Sequence, residues 1–279
     1  MCAQSADAVP PLPAKIEMPR TNPTIDDVRE YWNMYINDVE VIKEPLGSPE
    51  FFDALERYRY EKIDFLKGYV DFGRYAGKSV LEVGCGPGVD LLQFARAGAQ
   101  VTARDLTENA VKLARANLAR EGYEGDVGLG NAEALDFDDQ SFDVFYSNGV
   151  LHHTVDTEKA ISEAYRVLKP GGEAIVMLYN RNSWFNLAAK LSGTPIEHAE
   201  KDAPIIRLFS TRECRELFRA FRDVDIHVDR FPKRTLKFDN LAAKLNNHVL
   251  VPFFGLLPSS LKRPLGWHIM IRARKQNEA

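Results

Sequence analysis

Residues 78–90 read Lys-Ser-Val-Leu-Glu-Val-Gly-Cys-Gly-Pro-Gly-Val-Asp. Val80, Leu81 and Val83 form a short apolar run, Gly84, Gly86 and Gly88 close it, and a helical pattern follows at once. That is the pattern of a buried strand, a turn stripped of side chains, and a helix start. Such a turn lets a ligand touch the backbone, and the first helical turn adds unpaired N–H groups.

Working outward, the pattern predicts strands near 79–83, 100–103, 126–129, 142–147 and 173–178. Helices over 88–97, 107–121 and 156–168 lie between them, the last stopped by Lys169-Pro170-Gly171-Gly172. This alternation implies right-handed crossovers and a doubly wound α/β fold. Its sheet is expected to be mostly parallel and seven-stranded, with helices on both faces. A helix over 211–221 and strands at 224–228 and 268–272 complete it. Residues 181–209 and 232–265 read as irregular insertions on the substrate side, within a C-terminal part spanning 181–279.

Before the core, residues 24–77 read as a helical cap. Thr24 caps a helix carrying Ile25, Val28, Tyr31, Trp32 and Tyr35 at helical spacing, and Ser48-Pro49-Glu50 opens another that runs to Phe65. Residues 1–23, with five prolines, read as a flexible leader.

The 279 residues are 45% hydrophobic and 27% charged, with a net charge of −4, which argues against a non-specific nucleic-acid binder. Residues 204–279 carry a basic surplus that suits an anionic substrate, a membrane surface, or simply solvated helix faces. Cys2, Cys85 and Cys214 show neither paired nor metal-ligand spacing, so no metal is expected and a reducing compartment fits. With no apolar signal core and no run of spanning length, the expected location is the cytoplasm. His248–Pro258 is apolar, broken by prolines and followed by Lys262 and Arg263. It reads as a cover on the sheet edge, a pocket wall, or a peripheral membrane contact over 248–263. Oligomeric state has no signature.

Two cofactor classes place glycines after a first strand. The dinucleotide fingerprint needs a glycine where Val89 stands. This chain has G-x-G-x-G instead, with Glu82 ahead of it, and so resembles motif I of the class I S-adenosylmethionine-dependent methyltransferases. Further stretches agree in order: Asp105 ending the second strand, Gly130-Asn131-Ala132-Glu133, Ser147-Asn148-Gly149-Val150-Leu151-His152-His153, and Tyr165 to Gly172. Together they resemble the small-molecule ("type 11") group that includes the quinone-biosynthesis enzymes, colinearly over 78–180.

The resemblance implies S-adenosylmethionine as donor and S-adenosylhomocysteine as product. It places Glu82 near the methionine ammonium, and Gly84 and Gly86 where the cofactor enters. Gly88 would let the helix pack closely. Asp105, followed by Leu106, would accept the ribose hydroxyls. Asn131 and Ala132 would meet the adenine; Asn131 stands where relatives commonly carry Asp, which removes a charge and keeps an acceptor. Asn148 lies at the edge of the fourth strand. Arg104 hints at NADP, although an intact Asp105 would repel a 2′-phosphate.

For the acceptor, His152 and His153 are candidate general bases, with helix capping or packing as the plainer alternative. Tyr31, Trp32, Tyr58, Tyr60, Tyr179, Arg181 and their neighbours Asn180 and Asn182 are candidate substrate contacts. The tetrapeptide of many amino-directed nucleic-acid and protein methyltransferases, Asn/Asp-Pro-Pro-Tyr/Phe, is replaced by Ser147-Asn148-Gly149-Val150. The leading expectation is methyl transfer to a small molecule at oxygen: a hydroxyl, phenol or carboxylate. Transfer to nitrogen or carbon of a small molecule, lipid or quinone stays open. An NAD(P)-dependent oxidoreductase and a non-catalytic cofactor-binding subunit are the competing readings.

Overall fold

The structure is a computed structural model describing residues 22–193, 195–197, 202–233 and 244–277. The expected leader falls almost wholly outside the described residues, as do parts of both late insertions. The strands are β1 (Ser79–Val83), β2 (Gln100–Asp105), β3 (Asp126–Leu129), β4 (Phe142–Asn148), β5 (Leu168–Asn180), β6 (Leu208–Phe209), β7 (Arg222–Asp229) and β8 (His268–Arg274). The helices used below are α1 (Ile25–Met34), α2 (Pro49–Lys62), α3 (Leu66–Val70), α4 (Val89–Arg96), α5 (Glu108–Ala119), α6 (Thr157–Val167), α7 (Trp184–Ser192) and α8 (Thr211–Leu217).

The sheet runs β3-β2-β1-β4-β5-β8-β7, with β6 paired to the end of β5. Strands β1 to β5 pair in parallel, while β8 lies antiparallel to both β5 and β7. Alternate residues of each central strand serve opposite layers, as the two-residue period demands. Val80, Val144, Ile175 and Met270 pack with Leu91 and Phe94 of α4 and Ala114 of α5. Their neighbours Leu81, Phe145, Val176 and Ile271 pack with Ile161 and Ala164 of α6 and with Cys214 and Phe218. Burying each large apolar side chain is worth about 1.5–3 kcal/mol.

Strand order reverses at β1, whose neighbours are β2 and β4, and ligands of open α/β sheets bind beyond the strand ends at such a point. The N-terminal helices close that end. Thr24 and Asp27 form a reciprocal capping box on α1, and Ser48 caps α2 with Pro49 in its first turn. Phe51, Phe52 and Leu55 of α2 then pack on Val89 and Leu113, seating α2 over the start of α4.

Several expectations are corrected. The sheet has eight strands, because Leu208–Phe209 pairs with Tyr179 and Asn180. The helix stops before Lys169 as expected, at Val167, but the strand starts at Leu168 rather than Glu173: Lys169–Gly172 is a bulge inside β5, whose register with β4 shifts between Phe142 and Val144. The helix expected from Ser48 to Phe65 breaks at Ile63, and Ile63 and Leu66 both turn into the core. The helix expected to reach Phe221 ends at Leu217, with Phe218 and Phe221 buried beyond it. The 181–209 segment contains α7, capped by the Ser183 hydroxyl accepting from Asn186 N–H. The described part of 232–265 holds a π-turn at Asn246–Leu250 and short helices Val251–Leu256 and Ser259–Lys262.

Candidate functional site

The C-terminal ends of β1, β2 and β4 open into one cavity. Its floor includes Glu82, Gly84 to Pro87, Asp105 to Thr107, Gly130 to Ala132, Asn148 to Val150, and His153. Its cover is Ile25, Val28, Trp32, Ile36, Asn37 and Asp38 from α1 and the following loop, with Leu55 and Arg59 from α2.

The three glycines serve different ends. At Gly84 (φ +73°) a Cβ would lie 2.3 Å from Val150 Cγ2, so the protein's own packing excludes a side chain there. At Gly88 a Cβ would sit 3.0 Å from the backbone Cα of Ala114, which sets how closely α4 and α5 approach. At Gly86 (φ +51°) a Cβ would meet nothing within 4 Å, which leaves that backbone open to the cavity. Gly88 does not line the cavity.

Asp105 holds the turn together. One carboxylate oxygen accepts from Gly86 N–H at 3.0 Å; the other accepts from the N–H and the hydroxyl of Thr107, both at 2.9 Å. Burial raises its pKa, and these donors oppose the rise. Leu106 follows it on the cavity wall.

Glu82 is 3% exposed, and its Oε2 has no hydrogen-bond partner. Burial pushes its pKa well above the usual carboxylate value, and the nearby Asp90 and Asp105 charges push the same way. Asp90, at the start of α4, is the contrary case. Arg59 grips it bidentately, with Nε to Oδ1 at 2.9 Å, and the hydroxyls of Tyr60 and Tyr146 donate at 2.8 and 2.7 Å. Burial opposes its charge, but Arg59 and the tyrosines outweigh burial and hold its pKa below the usual value. Asn148 joins this network, its amide donating to Tyr146 Oη at 2.9 Å. Burial also pushes the Cys85 thiol well up, which makes it a packing residue.

The positive groups on the wall are already engaged. Arg59 is held by Asp90. Arg104 pairs with Asp126 at 3.0 Å and Asp136 at 2.9 Å and lies over the Phe137 ring, so it is not poised for a 2′-phosphate.

His153 lines the cavity from the 3₁₀ turn after β4. Its Nδ1 lies 2.6 Å from Ile205 O, and its ring meets Trp32 edge-on with centroids 4.8 Å apart. His152 is fully buried outside the cavity, its ring 3.8 Å from that of Tyr179. Burial, and then His153, hold the pKa of His152 well below the usual imidazole value, so it is neutral. Asn131 and Ala132 line the cavity, and Asn131 Oδ1 already accepts from Glu133 N–H at 2.9 Å.

Of the expected substrate contacts, only Trp32 reaches the cavity. Tyr31 and Tyr179 are core residues, Tyr58 is half-buried outside it, and Arg181 is turned to Glu213 at 2.9 Å. Tyr60 binds Asp90, and Asn180 donates to the carbonyls of Pro264 and Gly266. Sequence reasoning missed Arg59 and Asp90. Asp90 had a signal, an acid in the first turn after the glycines; Arg59 had none beyond its place in an aromatic helix.

Comparison with known proteins agrees with this geometry. Residues 81–176 match the family model described as a methyltransferase domain. A ubiquinone biosynthesis O-methyltransferase of Idiomarina loihiensis is 35% identical over 136 residues, 48% of this chain and 55% of the relative. A ubiquinone/menaquinone biosynthesis C-methyltransferase of a Marinomonas species is 36% identical over 114 residues, 39% of this chain and 45% of that relative. The chain thus spans about half the length of the curated relatives it matches. Among solved structures, a SAM-dependent methyltransferase from Archaeoglobus fulgidus aligns over 81% of this chain and 99% of its own, with a TM-score of 0.55 at 18% identity, a likeness of fold. Residues 81–176 thus match a methyltransferase domain, and with their glycine turn and sheet order they are similar to the class I S-adenosylmethionine-dependent methyltransferases, including those quinone-biosynthesis relatives.

Proposed function

We propose that the protein transfers a methyl group from S-adenosylmethionine to an oxygen of a small molecule, with the donor in the cavity at the ends of β1, β2 and β4. The observation that carries this reading is the unbalanced acidity of the wall. Glu82 is buried with an unpartnered carboxylate oxygen, and Asp105 stands beside it, while both arginines are engaged elsewhere. A methionine ammonium and a sulfonium bring the missing positive charge. A dinucleotide would bring two phosphates into the same wall.

When bound, the donor supplies a methyl group already activated by its sulfonium charge, so the protein contributes alignment and a dry cavity. Glu82 would hold the ammonium, Gly86 would admit the ligand, and Asp105, Leu106, Asn131, Ala132 and Asn148 would line the nucleoside. Ile25, Val28, Trp32, Ile36 and Leu55 form an apolar cover suited to an acceptor with an apolar body. The short approach of His153 Nδ1 to a carbonyl assigns the proton to Nδ1 and leaves Nε2 as the basic nitrogen. His153 would take the acceptor's proton as oxygen bonds to the methyl carbon and the carbon–sulfur bond breaks. The quinone O-methyltransferase relative favours oxygen, and the C-methyltransferase relative marks the alternative.

Thermal shift tests the donor. S-adenosylmethionine and S-adenosylhomocysteine raise the melting temperature and NAD(P) does not; the reverse pattern overturns the proposal. His153→Ala lowers turnover far more than donor affinity, and unchanged turnover would make this histidine structural.

A second reading adds a lipid surface. Leu187 and Leu191 of α7 and Leu245, Val249, Phe253, Leu256 and Leu261 are all more than half exposed, the last five in the segment carrying Lys262 and Arg263. No described helix is long and apolar enough to cross a membrane. A peripheral contact there predicts sedimentation with anionic vesicles that Leu256→Glu abolishes; sedimentation unchanged by Leu256→Glu refutes it. The buried free thiols Cys85 and Cys214 suit a cytoplasmic location.

A further inference from the structure

Two adjacent histidines and a glutamate more than forty residues further along the chain meet below the cavity. His152 and His153 stand on the turn after β4, and Glu197 arrives from the segment that follows α7. One ligand atom from each lies within 4.8 Å of the others. His152 is fully buried, and the side chains of His153 and Glu197 are 5% and 6% exposed. We propose that His152, His153 and Glu197 form a binding site for a divalent transition-metal ion of the zinc class.

The placement of protons and lone pairs supports this. Ile205 O can only accept, so His153 Nδ1 carries a proton and donates it, the outer-sphere bond that fixes a metal-binding imidazole. Its Nε2 lies 3.4 Å from Glu197 Oε1, yet neither atom has a hydrogen-bond partner. With the Nδ1 proton committed to Ile205 O, the Nε2 edge of the ring and the Glu197 carboxylate face each other as two donor atoms that one cation could join. His152 is fully buried beside them, with only a weak backbone contact to Met177 and no well-formed hydrogen bond at either ring nitrogen.

Spacing and donor type agree. Tetrahedral bonds of about 2.1 Å put ligand atoms roughly 3.4 Å apart. The His153–Glu197 edge already has that length, and the remaining atoms, within 4.8 Å of one another, need to close by up to roughly 1.4 Å. Two imidazoles and a carboxylate suit zinc and its first-row neighbours, and three protein ligands leave a coordination position for an outside oxygen. The cluster adjoins the cavity through His153. This rests on the methyl transfer proposed above but replaces its base: with the ion bound, His153 Nε2 is a ligand, and an acceptor hydroxyl at the open position would release its proton to water because the ion favours the oxyanion.

The test uses the full chain without an affinity tag, dialysed against chelator and titrated with Co²⁺, then with competing Zn²⁺. The expected result is one ion per chain, with the visible absorption of a four- or five-coordinate centre, displaced by Zn²⁺. His152→Ala and Glu197→Gln should each weaken binding by at least about tenfold, while the exposed His248→Ala leaves it unchanged. S-adenosylhomocysteine stabilisation is measured on the same samples, so loss of donor binding is read separately from loss of metal. If His152→Ala does not fold, Glu197→Gln carries the test. Absence of Co²⁺ binding, or binding unaffected by Glu197→Gln, overturns the site.

Discussion

Replacing Glu82 with glutamine separates what the empty protein needs from what its ligand needs. The substitution keeps the side chain's size and removes a charge that is buried, partly unpartnered and flanked by Asp90 and Asp105. An unsatisfied buried polar group costs about 1–3 kcal/mol, more when charged. Glu82→Gln should therefore stabilise the ligand-free protein by about that amount at pH values above the folded pKa of this carboxyl, where it is charged. For a chain of this size each kcal/mol moves the melting temperature by roughly 2–4 °C. The pH dependence follows from the direction of the shift. Folding raises the pKa of this carboxyl, so the native state of the wild type binds the extra proton, and its stability falls as pH rises through the folded value. The variant's advantage is full above that value and fades toward the ordinary carboxylate pKa of about 4.3. The ligand works in the opposite direction. Losing a charge-assisted bond to an ammonium costs about 1.5–3 kcal/mol, or roughly 10- to 150-fold in affinity. Calorimetric unfolding from pH 4 to 8 and titration with S-adenosylhomocysteine measure both effects. A variant less stable than the wild type at every pH, or equal in affinity, would refute the reasoning.

Two further substitutions probe the same floor. Gly84→Ala drives a methyl group into Val150 and should unfold or strongly destabilise the chain. Gly86→Ala costs only the left-handed backbone, about 1–2 kcal/mol, and should fold yet lose cofactor affinity; circular dichroism with ligand titration distinguishes them, and equal behaviour counts against the assigned roles. Asp90→Asn leaves Arg59 without its counter-charge and should cost about 3–5 kcal/mol, read from the urea midpoint at constant slope, with a change under 1 kcal/mol as the contrary result.

Much of the fold was legible because its core is built from local periodicities. The glycine turn, the βαβ rhythm and the caps at Thr24 and Ser48 are written within a few residues of where they act. What was illegible depends on distance in the chain. The Lys169–Gly172 bulge looks like a break ahead of the strand until β4 is alongside it. Tyr31, Tyr58 and Tyr179 have the composition of a binding stripe, and only tertiary packing turns them away from the cavity while Trp32 faces it. Glu197 had no local signal, because its meaning comes from His153, brought close by the path after α7. Gly84 teaches the converse: the motif marked it correctly as a glycine, but the reason is Val150 as much as any ligand.

The position of β8 bears on how the chain reaches this state. β7 precedes β8 in sequence but joins the sheet only through it. Until residues 268–274 are available, β5 presents an open edge with Ile175, Val176 and Met177 beside it, and β7 has no partner. During synthesis the nucleotide-binding half can assemble first, while the unfilled slot between β5 and β7 is the place where another strand-like segment would compete. Aggregation on refolding should therefore be governed by the closing strand, far from the glycine turn that organises the rest.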